Sequence, residues 1–195
     1  MFSQFKVYFG LGLDHILDVN GYDHILFVIA LCAIYTLSDW KRLLILVTAF
    51  TIGHSVTLAL ATLDIVKVNS ALIEFLIPVT ILITAFSNII KKPSIGRTKA
   101  NLNYYYAIFF GLIHGLGFSN YLKSILGKGQ NVVVPLLSFN VGIEIGQIII
   151  VVVFMIIAGL ATGLFGVTQR DWRIVISSGI AGIALTMILD SGFLF

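Results

Sequence analysis

VVVPLLSFNVGIEIGQIIIVVVFMIIAGLATGL, residues 132–164, carries a single ionisable side chain, Glu144. A helix crosses the hydrocarbon of a bilayer with roughly 20 apolar residues, so a run this long and this apolar reads as a membrane span. The rest of the chain repeats the pattern. Spans are expected at 22–38, 43–63, 70–90, 104–126, 132–164 and 173–194. The first is short and ends at Ser38-Asp39-Trp40-Lys41-Arg42; the fifth is expected to break near Gly159 to Gly166. Residues 2–18 are amphipathic at most and would form an interfacial helix or a re-entrant lead into the first span. Seven spans are the alternative count.

Composition points the same way. The 195 residues are 58% hydrophobic and 11% charged, with mean hydropathy +1.04. That leaves too little charge to cover a soluble globule. The expected fold is therefore all-α: a polytopic integral membrane helical bundle, with residues 1–195 forming a single transmembrane domain in the inner or plasma membrane of the cell. The net charge of +3 comes from loops and does not mark a nucleic-acid surface. No P-loop is present, so neither a nucleotide nor a nucleic acid is an expected partner. The bilayer and a metal ion are, and a homo-oligomer is open. The single cysteine, Cys32, cannot close an intrachain disulfide. The opening MFSQFKVYF lacks the apolar core and cleavage site of a signal peptide.

Basic residues orient such a chain, collecting on the cytoplasmic side. Lys41, Arg42, Lys91, Lys92, Arg97, Lys99, Arg170 and Arg173 fall in the odd loops. Lys67, Lys123, Lys128 and Lys6 fall on the other side. The odd loops are expected inside and both termini outside.

On that topology the polar residues converge in depth. His54, His114, Asn140 and Glu144 fall near mid-membrane, while Asp23, His24 and Glu74 lie above them toward the outside. Asn140, Glu144 and Gln147 share a helix face by their spacing, and Thr51, His54, Ser55 and Thr57 form a polar patch on the second span. Gly111, Gly115 and Gly117 frame His114, and Gly142 and Gly146 flank Glu144. Small residues let helices approach closely, and these could bring the two spans together. Ionisable groups at such depth are costly and mark a functional site by default. Imidazole with carboxylate or amide oxygen suits nickel, cobalt, zinc, iron or manganese. No cysteine or methionine lies beside the motifs, which argues against a Cu(I) path. Asp23 and His24 cannot point the same way on a regular helix, so one would bind the ion while the other orients a neighbour. The bland readings are a histidine acting as interhelical hydrogen-bonder, Glu144 locking to His54 or His114, and Asp23 as an N-cap.

The stretches HILDVNGYDHILFVIAL (15–31), FTIGHSVTLALA (50–61), FGLIHGLGFS (110–119) and FNVGIEIGQ (139–147) resemble the HupE/UreJ family of small membrane proteins. The likeness runs from about residue 10 to 150. Hydrogenase-linked members read HP-x-x-G-x-DH near the start. Here Ile16 follows His15 and the gap to Asp23-His24 is longer, so the chain looks closer to a second branch with DH-x-x-F and the FNVGIEIGQ block. The family is associated with nickel or cobalt uptake beside hydrogenase or urease. The resemblance thus implies a secondary permease for a divalent transition metal, nickel or cobalt before zinc. It implies ligands among His15, Asp23, His24, His54, His114, Asn140 and Glu144. Asp18, Thr51, Ser55, Glu74, Asn88, Ser119 and Gln147 are expected as supporting or pathway groups.

Two further functions stay open. An intramembrane zinc-dependent hydrolase would use three histidines, a glutamate base, and Ser119 or Ser55 against the substrate. A metal-binding accessory subunit would need only a docking surface. A cavity open only to the outside favours hydrolysis. A polar path continuing past Thr84, Ser87 and Asn88 to the cytoplasm favours transport, and uptake would then fall in acid as the imidazoles protonate.

Overall fold

The computed structural model describes residues 2–90, 100–126 and 132–193. Five of the basic residues used to orient the chain, Lys91, Lys92, Arg97, Lys99 and Lys128, lie outside these. Among the described residues the chain is helical, without strands: α1 (Phe2–Leu17), α2 (Asp23–Cys32), a 3-10 turn (Leu37–Asp39), α3 (Trp40–Thr62), α4 (Ser70–Ile90), α5 (Ala100–Gly117), α6 (Ser119–Leu126), α7 (Val133–Gly163) and α8 (Gln169–Asp190). Four stretches are long and apolar enough to cross a membrane: Leu37–Thr62, Ser70–Ile90, Val133–Gly163 and Gln169–Asp190. Their outward faces are bare hydrocarbon, including Ile45, Ile52, Phe86, Val152, Ile156 and Val175. A surface of this kind is at home in lipid, and the protein is a membrane protein.

Local chemistry sets the ends. Thr36 caps the 3-10 turn by exchanging hydrogen bonds with Asp39, and Arg42 donates to Asp39 at 3.0 Å. Helix α7 stops at Gly163, within the stretch Gly159 to Gly166 where a break is expected. Gly166 then takes φ +67°, a left-handed conformation glycine adopts without steric cost. Thr168 accepts from Asp171 N at 3.1 Å to start α8.

The stretch 22–38 is not a span on its own. Helix α2 has ten residues, a rise of about 15 Å, half of what a bilayer requires. The missing half is α1, which packs along the first part of α7: Gly12 faces Phe139, and Gly142 lies against Phe9 and Leu13. After the break at 18–22, α2 and the 3-10 turn continue toward the far end of α7, where Leu37 packs on Gly159. Together α1 and α2 behave as one helix interrupted midway. Residues 104–126 also divide, into α5 and the short α6.

Glycine decides the pairing. Gly53 of α3 lies against the Ile108 carbonyl, while Gly111 and Gly115 of α5 lie against the carbonyls of Phe50 and His54. The small residues therefore join α5 to α3 and α7 to α1, not the His114 helix to the Glu144 helix. Helix α4 packs on α8. One end of the bundle, the basic end, holds Lys41, Arg42, Arg170 and Arg173, at the starts of α3 and α8. The opposite end is tied by Lys123 to Asp64 at 2.6 Å and Asn120 to Ser70 at 3.0 Å.

Candidate metal centre

All four histidines meet in one place. His15 ends α1, His24 opens α2, His54 sits mid-α3, and His114 lies one turn before the end of α5. Ring centroids are 4.5 Å apart for His15 and His24, 5.2 Å for His24 and His114, and 6.2 Å for His54 to both His15 and His24. His24, His54 and His114 are buried, at 4%, 0% and 1% exposure. The backbone contact of Gly111 and Gly115 with α3 explains why His54 and His114 approach. The break between α1 and α2 explains the other two, since each half-helix ends on the cluster.

The hydrogen bonding is incomplete in a telling way. Buried polar atoms are almost always paired, and an orphan costs about 1–3 kcal/mol. Here His15 Nε2, His24 Nε2, both nitrogens of His54 and His114 Nδ1 are buried without a partner. The nitrogens that are engaged show what holds the rings. Asp23 Oδ1 meets His24 Nδ1 at 3.0 Å, and Thr80 Oγ1 meets His114 Nε2 at 3.1 Å. Two groups of ligand atoms lie within 4.8 Å of one another: His15, His24 and His54; and Asp23, His24 and His114. Imidazole nitrogens with one carboxylate are a donor set for divalent transition metals.

Asp23 is the first residue of α2, not its N-cap. Tyr22 holds that position and makes no capping bond. Like both ring nitrogens of His54, the Asn140 Oδ1 is buried without a hydrogen-bond partner. Its Nδ2 donates to Leu136 O at 2.8 Å. Glu144 stands apart from both ligand groups, accepting from Thr48 at 2.5 Å, with its Oε2 buried and unpartnered. Gln147 accepts from Thr51 at 2.8 Å. Ser55 and Ser119 make no hydrogen bond to a histidine. They donate to their own helix carbonyls, Thr51 O and Leu116 O. Asn88 donates to Ala30 O at 2.7 Å, steadying α2 against α4. Asp18 accepts from Asn20 N and Glu74 is exposed. Sequence reasoning missed Thr48 and Thr80. Both were within reach of spacing, since Thr48, Thr51 and His54 recur on one face of α3 and Thr80, Thr84 and Asn88 on one face of α4.

Cavities flank the cluster. Toward the opposite end, His15 lines one with Asp14, Asp18, Phe118 and Tyr121. Asp23 lines another with Asn20, Glu74 and Pro78. Toward the basic end, Thr84, Ser87, Asn88, Asn103, Tyr106 and Phe110 line a third. Between the histidines and this last cavity lies a buried aromatic layer. Phe27 packs on Phe50 and Phe110, at 5.0 and 5.9 Å, and both Phe27 and Phe50 touch His114. One polar thread passes beside it: Thr80, bonded to His114, and Thr84, which donates to Thr80 O at 2.8 Å and lines the cavity.

Neither the curated proteins nor the solved structures contain a match to this chain. The family comparison does find one, and it spans essentially the whole sequence. Residues 1–191 match the family described as HupE / UreJ protein, and the chain belongs to that family.

Proposed function

We propose that this protein is a multi-pass permease that carries a divalent transition-metal ion, nickel or cobalt before zinc, across the cell membrane. The observation that carries the reading is the set of orphaned buried imidazole nitrogens, drawn from four helices and lying between cavities at opposite ends of the bundle. Family membership supports it, since the HupE/UreJ family is associated with nickel or cobalt transport or with urease and hydrogenase maturation. The basic end would face the cytoplasm. The ion would reach the histidines from outside through the cavities at His15 and Asp23, then leave along Thr80 and Thr84 once the Phe27, Phe50 and Phe110 layer parts.

Three features favour transport over hydrolysis. A cavity exists on the basic-end side of the cluster. No serine hydroxyl meets a histidine among the described residues, and Glu144 is not positioned against the ligand groups. The binding groups also flank a broken helix, the arrangement by which secondary transporters build sites that both bind and release.

The test is uptake of nickel or cobalt into proteoliposomes of the purified protein. The reading predicts saturable uptake that His54→Ala abolishes. Wild-type liposomes no more permeable than protein-free ones to nickel, cobalt and zinc would overturn it.

A further inference from the structure

Resting on the permease reading, we propose that the cluster holds not one metal position but two, adjacent and occupied in succession, with His24 belonging to both. The first is formed by His15, His24 and His54, the second by Asp23, His24 and His114. Each triad brings its ligand atoms within 4.8 Å of one another, and the triads share no member except His24.

His24 is built for the shared role. Its Nδ1 faces Asp23 Oδ1 at 3.0 Å, inside the second triad, while its Nε2 is buried without a partner. The orphaned Nε2 of His15 and both nitrogens of His54 serve the first triad. In the second, Thr80 occupies His114 Nε2 and leaves Nδ1 as the orphan, fixing which nitrogen is presented.

The triads also differ in where they lead. His15 lines the outer cavity with Asp14 and Asp18, so the first position loads from there. Only the second touches the Thr80–Thr84 thread to the inner cavity. An ion moving between them exchanges His15 and His54 for Asp23 and His114 and passes from His24 Nε2 to Nδ1, the ring proton moving from Nδ1 to Nε2 as it does. It stays against the His24 ring throughout, in a low-dielectric interior where a bare ion would be most costly. The first triad is neutral and the second carries a carboxylate, so the charge gradient favours the forward step.

The experiment is equilibrium nickel binding and nickel X-ray absorption on the full-length protein in detergent. It compares wild type, His15→Gln, His114→Gln, Asp23→Asn and His24→Gln, each checked for monodisperse elution and an unchanged thermal melt. Gln and Asn keep the side-chain bulk, so that a folded comparison is available for each triad. Removing the shallower position costs less than about twofold in apparent affinity, and removing the deeper one lowers affinity to that of the remaining triad without abolishing binding. His15→Gln and His114→Gln should therefore still bind nickel, the first with carboxylate oxygen beside imidazole in the ligand shell and the second with imidazole alone. Asp23→Asn should resemble His114→Gln. His24→Gln should lose binding, and all four should lose proteoliposome uptake. If His15→Gln or His114→Gln loses binding as fully as His24→Gln, or if His24→Gln binds as well as they do, the two-position proposal is wrong while the permease reading stands. If the wild type binds no nickel, cobalt or zinc, the permease reading itself falls.

Discussion

Gly115 is where a single methyl group should reveal how the site is assembled. A Cβ at this position would collide with the His54 carbonyl oxygen and the Thr57 hydroxyl, and would lie 2.9 Å from the His54 carbonyl carbon. Carbon atoms rest about 3.5–4.0 Å apart, so Gly115→Ala must push α5 from α3 by roughly 0.6–1 Å. The atoms it meets are mostly backbone, which cannot swing aside as a side-chain tip can. Overpacking of this kind costs about 1–3 kcal/mol. The displaced helix carries His114 one residue away, and metal sites require ligand distances within about 0.2 Å. A displacement several times that tolerance should lower nickel affinity by roughly 10- to 100-fold, the loss typical when a group that orients a metal ligand is removed. Titration calorimetry on purified protein would measure it, with Gly182→Ala as control. That position, in α8, has nothing within 4 Å of an added Cβ, and alanine there should leave affinity unchanged. If Gly115→Ala binds as tightly as Gly182→Ala, the close approach of α3 and α5 does not organise the histidines.

Thr80→Val keeps the volume but removes the hydroxyl at 3.1 Å from His114 Nε2. Loss of such an orienting partner typically costs 10- to 100-fold in metal affinity, and an unchanged isotherm would show that Thr80 does not steer the ring. At the opposite end, the Lys123 ammonium holds the Asp64 carboxyl below the usual carboxylate range. A carboxyl lowered in the folded state adds stability above its ordinary range and loses it as pH falls through the lowered value. The pair is solvent-exposed, so Lys123→Ala should barely move the melting temperature at neutral pH, and not at all in strong acid. A large shift at neutral pH would mean that the pair anchors α6 to the bundle. Glu144→Gln, outside both ligand groups, should bind nickel with wild-type affinity, and a tenfold loss would place its carboxylate on the ion.

The sequence carried the helical class and the membrane character, because long apolar runs answer to the bilayer alone. Depth along a helix can be counted, and the count set His54 and His114 together at mid-membrane with Asp23 and His24 above them; His15 entered only through the family resemblance. The sequence could not show that α1 and α2 make up one interrupted helix. That depends on α1 finding α7 through Gly12 and Gly142, a pairing between distant segments that no local pattern encodes. The glycines around His114 were visible as a packing face, but which helix they would meet was not. They meet α3, so the expected union of the His114 and Glu144 spans does not form. Glu144 was placed in the cluster on depth. The structure puts it against Thr48, which lies before His54 on α3 toward the basic end, and an approximate depth count cannot resolve that offset. The partition of ligands into two groups was equally hidden: helix spacing sets Asp23 and His24 apart, yet their side chains meet at 3.0 Å.

Everything proposed here depends on the buried histidines holding a metal ion. Elemental mass spectrometry of the purified protein after loading at neutral pH, wild type beside His24→Gln, tests this directly. The account predicts a stoichiometric divalent transition metal in the wild type and its loss in the variant. No bound metal in a folded wild type, or equal metal in both proteins, would contradict it.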